Sequence, residues 1–304
     1  MARELSISAV IPATDGPPTL ERCLEALRAG SRPPDEVLAI AEPPNSGPAR
    51  ARNAGSERAT GEVLVFVDAD VAVHPDALAR IEAAFARDPE LTAIFGSYDD
   101  APEAPGAVSG FRNLLHHHVH QASPGPAETF WAGLGAIRRD AFLAAGGFDA
   151  DRYPDSSIED IELGARLSSE GARIELDPQV QGTHLKRWTI GSAVSTDFAR
   201  RGVPWVELVA RTGAPAGILN LGWRHRASAA LALVATAAIL RRRPGPASAA
   251  LAAFAWINRD LYALIARRRG LPEATAGFGL HLIHHLTSAA ALAAGLARSG
   301  RART

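Results

Sequence analysis

The chain has 304 residues, 47% of them hydrophobic and 21% charged, with a formal net charge of −1. That apolar content builds a substantial core and excludes a disordered chain, and a single cysteine excludes an intramolecular disulfide. The near-zero balance hides an asymmetry: residues 221–304 hold 12 Arg against Asp260 and Glu273, net +10, leaving residues 1–220 at net −11.

Leu5 to Ile11 predicts a short buried strand closed by Pro12, and Thr19 to Ala29 an amphipathic helix with Cys23 as a packed thiol on its apolar side. Glu36 to Ala41 is a second strand, so the chain opens with a βαβ unit, and a largely parallel sheet with right-handed crossovers is expected. A Pro/Asn/Gly loop, Pro43 to Pro48, leads into a short helix from Ala49 to Gly55. Val63 to Val67 then reads as a buried strand that ends in Asp68-Ala69-Asp70, where an open α/β sheet presents ligand-binding groups. A helix carrying Leu78, Ile81 and Phe85 on one face follows, then a strand from Leu91 to Gly96.

Residues 97 to about 128 give a weaker pattern: an acidic Pro/Gly loop, then Phe111 to Gln121 with His116, His117, His118 and His120. The His116–His120 spacing suits a metal, but no acid or thiol lies nearby, so a partly exposed helix near a cleft is the plainer expectation. Phe130 to Gly135 reads as a strand whose glycines, Gly133 among them, permit close backbone approach. Asp140 to Ala145 is a helix stopped by Gly146-Gly147. Ser157-Ile158-Glu159-Asp160 opens another helix, in a pattern that also fits a capping box. Two strands are expected at Ile174–Leu176 and Val180–His184, then Leu185-Lys186-Arg187-Trp188, then helix over 192–212.

Past residue 220 the composition turns to Ala and Leu, which sets a boundary between residues 1–220 and an appendage of residues 221–304. The apolar stretches Ala227–Leu240, Ala247–Ile257 and Ala276–Leu296 are short, broken by Asn258-Arg259-Asp260, or studded with His281, His284 and His285, whereas a spanning helix needs about 20 apolar residues. Interfacial or hairpin helices on the cytoplasmic leaflet are expected, with membrane insertion and a homodimer interface as alternatives. A basic tail without aromatic interleaving or a nucleic-acid motif favours an anionic membrane surface over nucleic acid. The opening residues lack a signal-peptide apolar core, so a cytoplasmic location is expected.

Two carboxylates spaced as Asp68 and Asp70 suit a hard divalent cation whose remaining ligands come from a diphosphate. They also suit a helix cap, and Val67 to Val71 resembles the nucleophile motif of haloacid-dehalogenase-type phosphatases, in which Asp68 would attack phosphorus. The surrounding order argues against that phosphatase, since a full βαβ unit precedes the motif and the only lysine is Lys186. What matches instead, over roughly residues 5–215, is glycosyltransferase family 2. Ala9-Val10-Ile11-Pro12-Ala13 looks like its first nucleotide-contacting strand, and Gly47-Pro-Ala-Arg-Ala-Arg-Asn-Ala-Gly55 is similar to the helix before its Asp-X-Asp motif. Asp68-Ala69-Asp70 matches that motif, Phe130 to Gly135 with Arg138-Arg139 the acceptor-side strand, Gly146 to Asp149 the following loop, Glu159-Asp160 the Glu-Asp motif, and His184 with Arg187-Trp188 the terminal elements.

The resemblance implies an α/β GT-A fold, Rossmann-like with a mainly parallel sheet flanked by helices, carrying a C-terminal Ala-rich helical appendage. It implies an inverting transferase that moves a sugar from a nucleoside-diphosphate donor to the hydroxyl of a small-molecule, glycan or lipid-linked acceptor with Mn2+ or Mg2+. Asp70 and His184, with Asp68, would hold the metal, and Asp68 is also a candidate for the ribose. Asp160 would be the general base, supported by Glu159, and Arg187 would neutralise the departing diphosphate. Pro12, Ala13, Glu42, Arg52, Ala69, Gly133 and Trp188 would line the nucleotide-sugar site, with Glu42 the only acidic candidate after the second strand. A catalytically silent, nucleotide-binding membrane scaffold is the non-enzymatic alternative.

Overall fold

The computed structural model describes residues 5–213 and 222–301. The chain forms two compact units: residues up to Asp99 together with His120–Lys186, and Asp100–Val119 together with the chain from Arg187 onward. The boundary expected at residue 220 lies outside the described residues; the first unit ends at Lys186.

The first unit runs β1 (Ile7–Pro12), α1 (Leu20–Arg28), β2 (Glu36–Ile40), α2 (Pro48–Arg58), β3 (Val63–Val67), β4 (Val71–Val73), α3 (Ala77–Arg87) and β5 (Leu91–Tyr98). After α4 (Ala107–Gln121), nearly all of which belongs to the second unit, it continues with β6 (Gly125–Ala127), β7 (Leu134–Arg138), α5 (Arg139–Ala144), α6 (Glu159–Ser169) and β8 (Arg173–His184). The sheet order is β2-β1-β3-β7-β5-β8-β4, with β6 pairing β8. Pairings β1–β2, β1–β3 and β5–β8 are parallel, and β7 is inserted antiparallel between β3 and β5. Five strands therefore share one direction, and their carboxyl ends bring Pro12, Ile40, Val67, Tyr98 and His184 to the same edge.

All five residues of β3 are buried because the two faces of the strand meet different layers. Val63, Val65 and Val67 join Ile7, Ala9 and Ile11 over Cys23 and Leu27 of α1 and Leu78, Ile81 and Phe85 of α3. Phe66 turns the other way and meets Phe130, Phe142 and Phe148 at ring-centroid distances of 5.2 to 6.3 Å. Cys23 is the core thiol expected, its Sγ 3.6 Å from the Asp68 carbonyl, and burial pushes the thiol up to about 12. Helix α2 lies tight on β1, since a Cβ on Gly55 would stand 2.4 Å from Val10 Cγ1.

Three local expectations are corrected. Phe130 to Gly133 lies outside any strand, ending in a turn at Ala132-Gly133 with the Trp131 ring against Gly133, and the strand begins only at Leu134. The two strands expected at 174–176 and 180–184 are one, β8, whose pairing with β5 shifts register around Pro178. His120 is buried and donates from Nδ1 to the Gly96 carbonyl at 2.9 Å, an ordinary satisfied core histidine. Among the described residues, no group of three or more His, Cys, Asp or Glu side chains is arranged to hold a metal ion.

The second unit is helical: most of α4, then α7 (Ile190–Ser195), a π-helical turn (Thr196–Gly202), α8 (Val203–Thr212), α9 (Trp223–Leu240), α10 (Pro244–Ile257), α11 (Arg259–Arg269) and α12 (Leu271–Arg301). Its apolar centre is Phe111, Leu114, Leu261, Leu264 and Ile265. Asp197, on the π-helical turn, receives Arg112 Nη1 at 2.5 Å and His284 Nδ1 at 2.8 Å, while the Arg112 guanidinium stacks 4.7 Å over Trp188. The chain breaks at Asn258, as the sequence suggested, with a 69° bend, but the histidines do not interrupt α12. His281, His284 and His285 share its inner face, where Tyr262 meets His281 Nδ1 and the Nε2 atoms of His281 and His285 lie 3.0 Å apart.

Candidate active site

The site is built where β3 runs out. The Asp68 N–H donates to the Gly133 carbonyl at 3.0 Å, the Val71 N–H closes a turn back to the Asp68 carbonyl at 2.9 Å, and β4 pairs Val71 with His184. This tight turn holds Asp68-Ala69-Asp70 at the sheet edge. The Leu185 N–H donates to the Asp70 carbonyl at 2.8 Å, so the flanking side chains, His184 and Lys186, project to the same side of an extended segment. They approach the same oxygen: His184 Nε2 is 3.7 Å and Lys186 Nζ 3.8 Å from Asp70 Oδ2. Tyr98 stacks flat on the His184 ring at 4.2 Å and 12°, and its other side meets the edge of Trp131 at 4.9 Å. Those contacts fix the imidazole plane.

Asp68 faces a different partner. Arg52 of α2, 4% exposed, places Nη2 2.5 Å from Asp68 Oδ1 and Nη1 3.0 Å from Glu159 Oε1. Glu159, itself 4% exposed, takes the Ser157 N–H on its second oxygen at 2.8 Å. Burial pushes the Asp68 carboxyl above its ordinary range, with Arg52 opposing the shift and Asp70 adding to it. Burial acts on Asp70 in the same sense, yet His184 and Lys186 hold that carboxyl below the usual carboxylate range.

Two expectations change here. Arg52 does not frame a base or ribose; it is an interior clamp joining the Asp-X-Asp turn to the start of α6. Glu159 has both oxygens engaged, so it braces this helix start and does not face a substrate. Nor do the three expected metal ligands form one cluster: Asp70 and His184 pair, and Asp68 is drawn to Arg52.

Asp160 is one residue further on. Helix α6 begins at Glu159 with Ile158 as its cap residue, which makes no side-chain cap hydrogen bond, so the capping-box reading does not hold. The Asp160 carboxylate accepts the Ile161 N–H on Oδ1 at 2.8 Å and the Ala132 N–H on Oδ2 at 3.1 Å. Gly133, next to Ala132, binds the Asp68 backbone, and a Cβ there would fall 2.4 Å from the Trp131 ring. Of the remaining expected residues, Ala13 is buried and donates to the Ile40 carbonyl at 2.8 Å, Pro12 ends β1, Ala69 is buried, and Glu42 is exposed before a cis peptide to Pro43. Arg187 and Trp188 open the second unit, where the Trp188 N–H donates to Ser109 Oγ at 2.9 Å. Sequence reasoning missed Tyr98 and Lys186. Position at a strand's carboxyl end marks the first, and being the sole lysine marks the second.

A carboxylate beside an imidazole suits a divalent cation that takes its other oxygens from a ligand. Solved structures share the fold. A mannosyltransferase from Pyrobaculum calidifontis, PcManGT in complex with GDP-Man and Mn2+, is 19% identical with a TM-score of 0.54, over 94% of this chain and 87% of its own. GalNAc-T7 with UDP, GalNAc and Mn2+ is 17% identical with a TM-score of 0.51, and there 76% of this chain spans about half, 51%, of the other. No curated protein matches the chain in sequence. Residues 37–143, which carry Arg52, Asp68, Asp70 and Gly133, match glycosyl transferase family 2. That match covers the acidic turn and its surroundings and does not extend to Glu159, Asp160 or His184.

Proposed function

We propose that the protein is a metal-dependent, inverting transferase that passes a sugar from a nucleoside-diphosphate donor to an acceptor hydroxyl. One observation carries the reading: the Ala132-Gly133 turn binds the Asp160 carboxylate with one residue and the Asp68 backbone with the next. A base from α6 and a cation site after β3, some 90 residues apart in sequence, thereby share one support. Asp70 and His184 would hold the cation, and imidazole in the donor set favours Mn2+ over Mg2+, which prefers oxygen ligands. The ion, when bound, supplies charge neutralisation on the diphosphate. Asp160, its oxygens oriented by two N–H donors, accepts the proton of the attacking hydroxyl, and a single displacement at the anomeric carbon inverts it.

A panel of UDP, GDP and dTDP sugars with Mn2+ tests this by release of nucleoside diphosphate. Asp160→Asn is expected to lower turnover by 10²-fold or more, on the order of general-base contributions, while donor binding stays intact. A product with retained anomeric configuration sinks the inverting mechanism.

For the helical unit we propose an interfacial position on the anionic cytoplasmic leaflet, next to a lipid-linked acceptor. Trp223 is 69% and Trp256 68% exposed, with Arg224 lying over the first ring and Arg259 over the second. An Asn258 to Ser228 hydrogen bond places both tryptophans at one end of the α9/α10 pair, and Arg241, Arg242 and Arg243 stand at the other. Basic groups at both ends suit a hairpin lying flat among headgroups. The same net charge disfavours self-association through this face. Among the described residues, one helix, Leu271–Gly300, is long and apolar enough to cross, or two if the bent α10/α11 pair counts as one. Vesicle flotation of the full chain discriminates: salt-sensitive binding to anionic vesicles, weakened by Trp223→Ser with Trp256→Ser, is expected, and no preference for anionic over neutral vesicles refutes it.

A further inference from the structure

Lys186 is the only lysine in a chain that uses arginine 31 times. It is fixed to the cation site by backbone geometry: the Leu185 N–H bonds to the Asp70 carbonyl, so residues 184 and 186 both face the Asp70 carboxylate. His184 is 6% exposed and stacked on Tyr98, whereas the Lys186 side chain is 50% exposed and carries its charge on a flexible four-carbon stem. One oxygen, Asp70 Oδ2, attracts both an imidazole and an ammonium. A divalent cation held by Asp70 and His184 would repel that ammonium at such a distance, unless a diphosphate arrives to attract it.

We propose that Lys186 is an exchangeable counter-ion: it neutralises Asp70 in the free enzyme and moves onto the diphosphate oxygens of the donor once the cation enters. This rests on the donor-site reading above. It also explains the residue type. An arginine here would grip both oxygens of Asp70 as a planar fork and compete with the cation, whereas an ammonium is a compact point charge that one bond rotation redirects. The exchange makes the cation and the nucleotide bind as a pair, because the cation alone meets an unrelieved positive neighbour.

The single lysine makes the test clean. Reductive methylation of the full chain with 13C-formaldehyde preserves the charge and labels only Lys186 and the amino terminus, with Lys186→Arg as the assignment control. The Lys186 resonance is expected to move little with Mg2+ alone, to shift when Mg2+ and the bound nucleoside diphosphate are both present, and to broaden away with Mn2+ in place of Mg2+. Equilibrium dialysis of Lys186→Ala is expected to give changes of opposite sign: tighter binding of Mn2+ alone, and binding of Mn2+ with nucleoside diphosphate weaker by about 10- to 100-fold, the loss of one charged hydrogen bond. A residue that merely supports the fold would shift both affinities in the same direction. If wild type binds the pair from the UDP, GDP and dTDP panel while the Lys186 resonance stays unmoved, or if the variant's two affinities move together, the counter-ion role is refuted. If wild type binds no member of the panel with either cation, the donor-site reading itself has failed and takes this inference with it.

Discussion

Arg52→Met is the sharpest test of how this site is held together. The substitution keeps a linear side chain of similar reach but removes the guanidinium that bridges Asp68 at 2.5 Å and Glu159 at 3.0 Å. Breaking a buried ion pair from one side costs about 3–5 kcal/mol, because the partner carboxylates stay behind without compensation. Glu159 is almost wholly enclosed, but the Asp68 side chain keeps 32% of its surface in water, so the lower end, about 3 kcal/mol, is expected. The loss has a pH signature. Arg52 opposes the burial that raises the Asp68 carboxyl, so its removal raises that carboxyl further above its unfolded value. A group whose folded pKa is raised contributes stability below its unfolded pKa and loses it as pH rises through the folded one. The deficit of Arg52→Met relative to wild type should therefore be smaller at pH 5 than at pH 8, as read by urea unfolding at the two pH values. Adding Glu159→Gln should recover part of it. A deficit under about 0.5 kcal/mol, within the range of ordinary surface substitutions, or one that does not change with pH, refutes the clamp.

Further outcomes follow from the same geometry. Gly133→Ala puts a methyl 2.4 Å from the Trp131 ring, so the ring must leave Tyr98 and with it the stacked His184; Mn2+-dependent donor binding should weaken while the melting temperature moves by only a few degrees. Phe66→Ala opens the four-phenylalanine cluster under β3 and should cost about 3–5 kcal/mol by denaturant unfolding. Burial, then His284 and Arg226, hold His225 down at about 4, and His281 and His285 are also lowered. These histidines stay neutral in the folded chain while the unfolded chain takes up protons, so stability should fall as pH drops from about 6.5 toward 4, and His225→Phe should flatten that fall in melts taken across this range.

The parallel framework and the acidic turn were legible because they rest on local chemistry. An unbroken apolar run from Val63 to Val67 has no stable place except a strand covered on both faces, and carboxylates at its end have no partner within the strand. His184 was legible for the same reason, as the last residue of a strand pointing the same way. The non-strand stretch from Phe130 to Gly133 was not, because its glycine signals close approach without saying what approaches: here it is the Trp131 ring, a contact within the stretch, and not a neighbouring strand.

Arg52 shows why roles are harder to read than positions. From sequence it is one of two arginines flanking Ala51 on a short helix, and either suits an anionic ligand. What separates them is burial: Arg50 is half exposed and pairs with Asp151, while Arg52 is enclosed between two acids that lie 16 and 107 residues away along the chain. No local pattern encodes that, since the partner at Glu159 is brought in only by the packing of α6. The same enclosure defines what each carboxylate can still do. Asp68 and Glu159 spend their charge on Arg52, whereas Asp70 meets His184 and Lys186 and Asp160 is oriented by two backbone N–H donors, which is the division of labour the proposed metal and base roles rest on.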